Sequence, residues 1–313
     1  MGWENPQGDS HFRIQRSRAD NADQSAQRIF FSMMCQIGDE LDQVTSVLRS
    51  VSTLDSFPKI LDLCMAPGGF TASVLAKDRD VRVCGISLPV SKGGHKMMLP
   101  GWQRDSRIQV CFLDITMLAA EMDVSNIPMD HPDATNFVWD RPFCGETFDL
   151  VFCDGQVLRK HPRPEYRERR EAWRLLTSQL VLALQRIKKD GKLVVLLHKL
   201  DTWGTVLMLH TLSKFSSLHL FKPKKKHAVR SSFYVVADQM QPQSPYFRAA
   251  VANWKEEWHT ATFGSDSEYQ ENRGRSDGTV NEVISGFGTE LLHLGEPIWR
   301  IQAAALRKAS FMT

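Results

Sequence analysis

The stretch Leu61-Asp-Leu-Cys-Met-Ala-Pro-Gly-Gly-Phe70 (LDLCMAPGGF) decides the fold of this 313-residue chain. It begins inside a short apolar run, Lys59–Cys64, that follows Pro58 and is bounded by turn residues. A run that short and that apolar reads as a strand buried on both faces. The small residues after it read as a turn, and Phe70–Ala76 as a helix. Gly68 and Gly69 let the backbone come close to a ligand where a β-carbon would collide. The N-terminus of the helix behind them offers unpaired N–H groups to a carboxylate or phosphate. In open α/β sheets ligands bind beyond the carboxyl ends of the strands, which is where this turn falls. The turn is neither the G-x-G-x-x-G dinucleotide fingerprint nor a P-loop, so a nicotinamide dehydrogenase fits poorly.

The same grammar extends outward. Val81–Ile86, Ile108–Leu113, Phe148–Cys153 and Lys192–Leu197 are further buried-strand runs, followed by Leu218–Phe221 and Ser232–Ala237. Between them lie helical stripes: Ile29, Met33, Met34, Ile37, Leu41, Val44 and Leu48 within Ala26–Leu48, then Trp173, Leu176, Leu180, Leu184 and Ile187, then Leu200–Leu212. Strands alternating with helices imply an α/β fold, a mostly parallel seven-stranded sheet with helices on both faces. The last two strands are joined by a basic loop and not a helix, so they predict a C-terminal antiparallel hairpin. Residues 1–25 are polar and read as a flexible lead-in. Residues 26–240 form the main domain, including an N-terminal helix over 26–50. Thr116–Thr147 shows no period and reads as a long loop, functional or inserted. Residues 241–313 form an acidic extension of unreadable fold, a solvated appendage with an amphipathic helix over Ile298–Phe311 that docks on the domain.

Hydrophobic content of 42% and charged content of 24% exclude collagen-like, wholly disordered and disulfide-scaffold chains. No run approaches the roughly 18 apolar residues of a membrane span. The six cysteines form no C-x-x-C pair and read as free thiols, with no metal site expected. A cytoplasmic or nuclear protein is the expectation. The net charge of +3 hides an uneven distribution. Arg159–Arg174 carries a net +4 and Lys222–Arg230 a net +5, leaving −6 elsewhere. Both segments flank the expected ligand edge. Lys222, Lys224, Lys225, Lys226 and Arg230 have no acid among them and suit phosphate contacts with RNA. Segment 159–174 reads either as a second phosphate track or as a helix face with local ion pairs.

DLCMAPGGF at Asp62–Phe70 resembles the S-adenosylmethionine-binding first motif of the FtsJ-like 2′-O-ribose RNA methyltransferases. The resemblance continues through FDLVFCDG at Phe148–Gly155, GKLVVLLHK at Gly191–Lys199 and FKPKKKHAVRSSFYVVA at Phe221–Ala237. It implies a Rossmann-like methyltransferase fold with S-adenosylmethionine as cofactor. By motif, Asp62, Ala66, Pro67, Gly68, Gly69 and Phe70 shape the methionine end, with Asp154 beside them. Asp114 matches the aspartate that holds the adenine amino group. Ser87 stands where many methyltransferases place an acid for the ribose hydroxyls, and Ser91–His95 is expected to line the cofactor site.

Methyl transfer from sulfonium to oxygen is a direct displacement, so the acceptor oxygen needs alignment and a route for its proton. The family uses a Lys-Asp-Lys-Glu tetrad. Asp154 and Lys199 match its aspartate and second lysine. Ser32 and Ser232 stand where it has the first lysine and the glutamate, removing one charge of each sign. Three readings stay open: a methyltransferase acting on an RNA ribose 2′-hydroxyl, an FtsJ-fold pseudoenzyme that binds RNA or cofactor without transfer, and a small-molecule O-methyltransferase. The sequence assigns no oligomeric state.

Overall fold

A computed structural model describes residues 6–20, 24–49, 57–274 and 279–309. Its strands are β1 (Lys59–Leu63), β2 (Arg82–Ser87), β3 (Ile108–Phe112), β4 (Phe148–Cys153), β5 (Ile187–His198), β6 (Ser217–Phe221) and β7 (Ser232–Asp238). They form one seven-stranded sheet in the order β3-β2-β1-β4-β5-β7-β6. The first five strands are mutually parallel, and β7 runs antiparallel to both β5 and β6. The expected α/β sheet and its terminal hairpin are both present. Strand order reverses between β1 and β4, the switch point at which such sheets open a crevice.

The helices are α1 (Pro6–Asp20), α2 (Gln24–Thr45), α3 (Gly69–Lys77), α4 (Glu165–Glu168), α5 (Glu171–Leu184), α6 (Trp203–Ser213), α7 (Pro245–Phe263), α8 (Asp266–Gly274) and α9 (Val280–Arg307). Side chains alternate along the strands and bury both faces. Ile60, Leu150, Phe152, Val194 and Val236 pack against Met34, Ile37 and Leu41 of α2 and Phe70 and Val74 of α3. Leu61, Val151, Leu193, Val195 and Val235 pack on the opposite face with α5, α6, α7 and α9. The α2 stripe is narrower than its periodicity suggests, since Ile29 and Val44 are exposed.

Several sequence expectations are corrected. Within the expected flexible lead-in, Pro6–Asp20 is helical. Pro6 has its φ preset for a first turn, and Asp9 lies at the positive end of the helix dipole. Residues 1–5 and 21–23 of that segment lie outside the described residues. Ile187, placed by periodicity on the helical stripe, instead opens β5. Thr116–Thr147 is the expected long loop, and it is ordered by short 3-10 turns at Ile115–Met117 and Ala119–Met122 and a parallel bridge from Leu118 to Val138. Its anchors Leu118, Met122, Phe137 and Phe143 are buried in the core at irregular spacing.

Residues beyond 240 are not a solvated appendage. Trp254 and Trp258 of α7 and Val283, Phe287 and Ile298 of α9 are buried in the main core. The helix expected from Ile298 starts eighteen residues earlier, at Val280, behind a Thr279–Glu282 capping box. Pro297 lies inside this helix, which continues through it. Phe311, its expected end, lies outside the described residues.

Candidate active site

A cavity of about 750 Å³ opens at the carboxyl edge of the sheet, over the β1–β4 switch point. Its floor is Asp62, Cys64 and the Met65–Pro67 turn after β1, together with Asp154–Leu158 after β4. Ile86–Leu88 and Leu113–Thr116 supply one wall, while Ile29, Phe30, Met33 and Met34 of α2 supply another. His227, Val229 and Arg230, ahead of β7, close the far side. The turn is tied down locally: Met65 N–H donates to the Ile86 carbonyl and Ala66 N–H to the Ser87 hydroxyl, at 2.9 and 3.3 Å.

Four carboxyl groups reach the cavity; Glu171 accepts from Arg167 at 2.9 Å, and the three aspartates are in different electrostatic states. Burial pushes Asp62 up to about 7, opposed by the Thr71 hydroxyl that donates to it at 2.6 Å. Burial likewise pushes Asp154 up to about 8; the Tyr234 hydroxyl, donating at 3.1 Å, opposes this and the charge of Asp62 adds to it. Neither has a cation beside it among the described ion pairs. Asp114 is the contrast. Burial would raise it, but Arg167 and His161, with the Thr116 hydroxyl and N–H, outweigh burial and hold it below the ordinary range. The Thr116 bonds go to Oδ1 at 2.8 and 3.0 Å, and Arg167 and His161 approach Oδ2 at 3.2 and 3.4 Å. The two Thr116 bonds fill Oδ1, so Oδ2, with the one hydrogen bond from Arg167, is the oxygen that has a lone pair for a ligand. The cavity thus joins two aspartates that lack a counter-cation to one, Asp114, whose neighbours favour its ionised form.

Of the residues singled out in the sequence, Asp62, Ala66, Pro67, Gly69, Phe70, Ser87, Asp114, Asp154 and Arg230 line this cavity. Gly68 does not. It takes a left-handed φ of +97° as the cap of α3, where a β-carbon would meet Met97 and Leu99. A β-carbon on Gly69 would fall 2.3 Å from that of Met34. The close approach that these glycines allow is therefore made by α2 and the Met97–Leu99 loop, which sequence cannot tell from a ligand. Of Ser91–His95 only His95 reaches the cavity wall.

The tetrad positions are dispersed. Asp154 is inside the cavity. Lys199 is exposed at the end of β5, on the same sheet edge, and no hydrogen bond or ion pair joins the two. Its backbone is left-handed, φ 49°, held by its N–H to the Ser231 carbonyl and by Thr202 N–H to its own carbonyl. Ser32 is exposed on α2 and Ser232 is buried in β7, and neither lines the cavity.

The basic segments are less superficial than their composition suggests. Lys222, expected at the substrate surface, is 2% exposed. Its ammonium donates to the carbonyls of Arg230 and Ser232 at 2.6 and 2.8 Å, and burial pushes it down to about 8. Lys224 and Lys225 are exposed and Lys226 is half-buried. In segment 159–174, Arg167, Arg170 and Arg174 are buried with internal partners, so only Arg159, Lys160 and Arg169 stay exposed. Sequence reasoning missed Thr71, His161, Glu171 and Tyr234 at the site. Tyr234 was discoverable, because its strand position faces the same side of the sheet as Phe152 and Phe70, with which its ring packs.

Switch-point cavity, sheet order and terminal hairpin together define a Rossmann-like methyltransferase fold. The FtsJ-like methyltransferase family model matches residues 39–240, and the chain belongs to that family. No curated protein matches the sequence significantly. An O-methyltransferase family protein from Burkholderia thailandensis is similar in structure, with a TM-score of 0.39 and 12% identity over 72% of this chain and 63% of its own. This chain therefore spans less than two thirds of that protein. An rRNA methylase from Streptococcus thermophilus gives a TM-score of 0.37 and 13% identity over 66% and 95%. A fibrillarin/Nop5p complex gives 0.36 and 10% over 61% and 77%. Among the described residues no helix is long and apolar enough to cross a membrane.

Proposed function

We propose that the chain binds S-adenosylmethionine in this cavity and transfers its methyl group to a ribose 2′-hydroxyl of RNA. The observation that carries the reading is the convergence of Asp62, Asp154 and Asp114 on one cavity at the β1–β4 switch point. The donor set fits the cofactor. A buried carboxyl (Asp62) and a half-buried one (Asp154), both without a cation, suit its positively charged methionine end, an ionised carboxylate suits the adenine amino group, and Met65, Ile86, Leu113 and Ile115 offer apolar contact. When bound, S-adenosylmethionine supplies an electrophilic methyl group on a sulfonium sulfur. A positive charge beside Asp62 and Asp154 favours their ionised forms. Tyr234 fixes one oxygen of Asp154. Asp154 and Lys199 are the groups assigned to the acceptor, to align its oxygen and take its proton. The left-handed backbone at Lys199 is the kind of local strain that gathers at functional positions. Lys224, Lys225, Lys226 and Arg230 are assigned to the phosphates.

A second reading is favoured by the dispersal of Ser32, Lys199 and Ser232 away from the cavity: a protein that binds the cofactor and RNA without transfer. Calorimetric titration with S-adenosylmethionine and transfer of labelled methyl to RNA decide between them. We expect binding, label in RNA, and a rate loss of about 100-fold or more in Lys199→Ala and in Asp154→Ala. Binding without transfer supports the second reading, and label confined to small acceptors replaces RNA as substrate. Transfer that survives both substitutions removes the assigned pair.

A further inference from the structure

The turn that carries Asp114 is held from outside the family-matched segment. Thr116, whose N–H and hydroxyl both bind Asp114, has its carbonyl clamped by two buried donors. One is the guanidinium of Arg174 in α5, at 3.1 Å, and the other the indole N–H of Trp258 in α7, at 3.2 Å. Arg174 is in turn aimed by the Thr262 hydroxyl of α7, which accepts from its Nε at 3.0 Å. Its guanidinium carbon lies 5.7 Å from the Trp258 ring centroid. Arg174 and Trp258 are both fully buried, so these bonds have no water to replace them. The match to the family ends at residue 240 and α7 begins at Pro245.

We infer that α7 is a working part of the ligand cavity: Trp258 and Thr262 are positioning residues that, with Arg174, fix the Asp114–Thr116 turn and so set recognition of the ligand's amino-purine end. The inference rests on the cofactor-binding reading above. Two donors on one carbonyl define the turn's height over the cavity, and the Thr116 bonds pass that definition to the Asp114 carboxylate. A carboxylate held this way accepts from an exocyclic amine and meets only another acceptor in an exocyclic carbonyl oxygen at the same place.

The test uses the full chain and two probes, S-adenosylhomocysteine and S-inosylhomocysteine, which differ by an amine against an oxygen at purine position 6. The wild-type protein is expected to prefer the adenosyl probe by about tenfold or more, as a hydrogen bond to a charged group allows. Trp258→Phe keeps the ring packing and removes the indole donor, while Thr262→Val keeps the volume and removes the acceptor. Each is expected to reduce the preference at least threefold, whereas a merely structural defect weakens both probes alike. Hydrogen exchange on the wild-type protein gives an independent reading, since S-adenosylhomocysteine should slow exchange in residues 254–262 of α7 as well as at 114–117. An unchanged preference in both variants, or ligand protection that stops short of α7, overturns the inference. Failure of the wild-type protein to bind either probe removes the cofactor reading instead.

Discussion

Asp62 and Asp154 are held at about 7 and 8 by burial, well above an ordinary carboxyl. Between the ordinary value and these raised ones, the unfolded chain has released protons that the folded chain still holds. Stability therefore falls as pH rises through that window, from about 4 to about 8. A cationic ligand reverses the balance by drawing the carboxyls into their ionised form. Its binding near pH 7 is expected to release on the order of one proton, seen as a dependence of calorimetric heat on buffer ionisation enthalpy. Affinity for S-adenosylmethionine should rise from pH 6 to 8 and then level off. Asp154→Asn separates the two effects, because its amide oxygen can still accept from Tyr234 while carrying no charge. We expect that variant to gain on the order of 1 kcal/mol or more of stability at pH 8.5, much less at pH 5, and to lose ligand affinity at both. Thermal unfolding at the two pH values checks the first part. A variant less stable than wild type at pH 8.5 would mean that folding does not raise Asp154 above the ordinary carboxyl range.

The loop between β6 and β7 shows how charge counted along a sequence divides once the chain is folded. Lys222 turns inward and gathers the carbonyls of Arg230 and Ser232, so it holds the loop closed beneath the cavity rim. Lys224 and Lys225 face solvent, with the Lys224 N–H capped by Glu40 of α2 at 2.8 Å. Lys222→Met leaves buried carbonyls without a donor and is expected to cost about 1–3 kcal/mol of stability. Replacing Lys224, Lys225 and Lys226 together by alanine should leave the melting point nearly unchanged. It should also flatten the dependence of log RNA affinity on log salt by about 2, from roughly 0.7 per single-strand phosphate contact. A salt slope that responds to Lys222→Met and not to the triple variant would reverse these roles. The central strands β1, β2, β4 and β7 were legible because they are buried on both faces, and the carboxyl-edge residues followed from them. The fates of Lys222, Arg167 and Arg174 were not. Whether a cation faces phosphate or a buried carbonyl depends on partners such as Thr116 and Glu171, fixed by the sheet's closure and not by local pattern. Gly69 lines the cavity, yet the neighbour that its missing β-carbon admits is Met34, thirty-five positions earlier, which local pattern does not show.

On the scale of the whole molecule, the boundary near residue 240 marks a change of composition and of family match without marking a break in packing. Trp258 and Trp254 of α7 and Phe287 of α9 lie in the same buried cluster as Leu61, Val151 and Val195 of the sheet. Arg170 of segment 159–174 reaches across to the Gly264 carbonyl at 2.7 Å and to Asp266. Asp266 therefore pairs with Arg170, while Glu171 within the segment pairs with Arg167 and Arg174, and the surface is less polarised than the sequence arithmetic implies. A solvated appendage would melt independently of the sheet. A shared core requires that they unfold together. We expect far-UV dichroism, dominated by the helices, and near-UV aromatic dichroism, dominated by tightly packed rings such as Trp258, to trace one superimposable transition. Saturating S-adenosylhomocysteine should move both signals upward by the same amount, since a ligand held at Asp114 stabilises everything that unfolds with it. Loss of the helical signal from α7–α9 ahead of the rest, with only the later transition responding to ligand, would mean that the cavity keeps its shape without them.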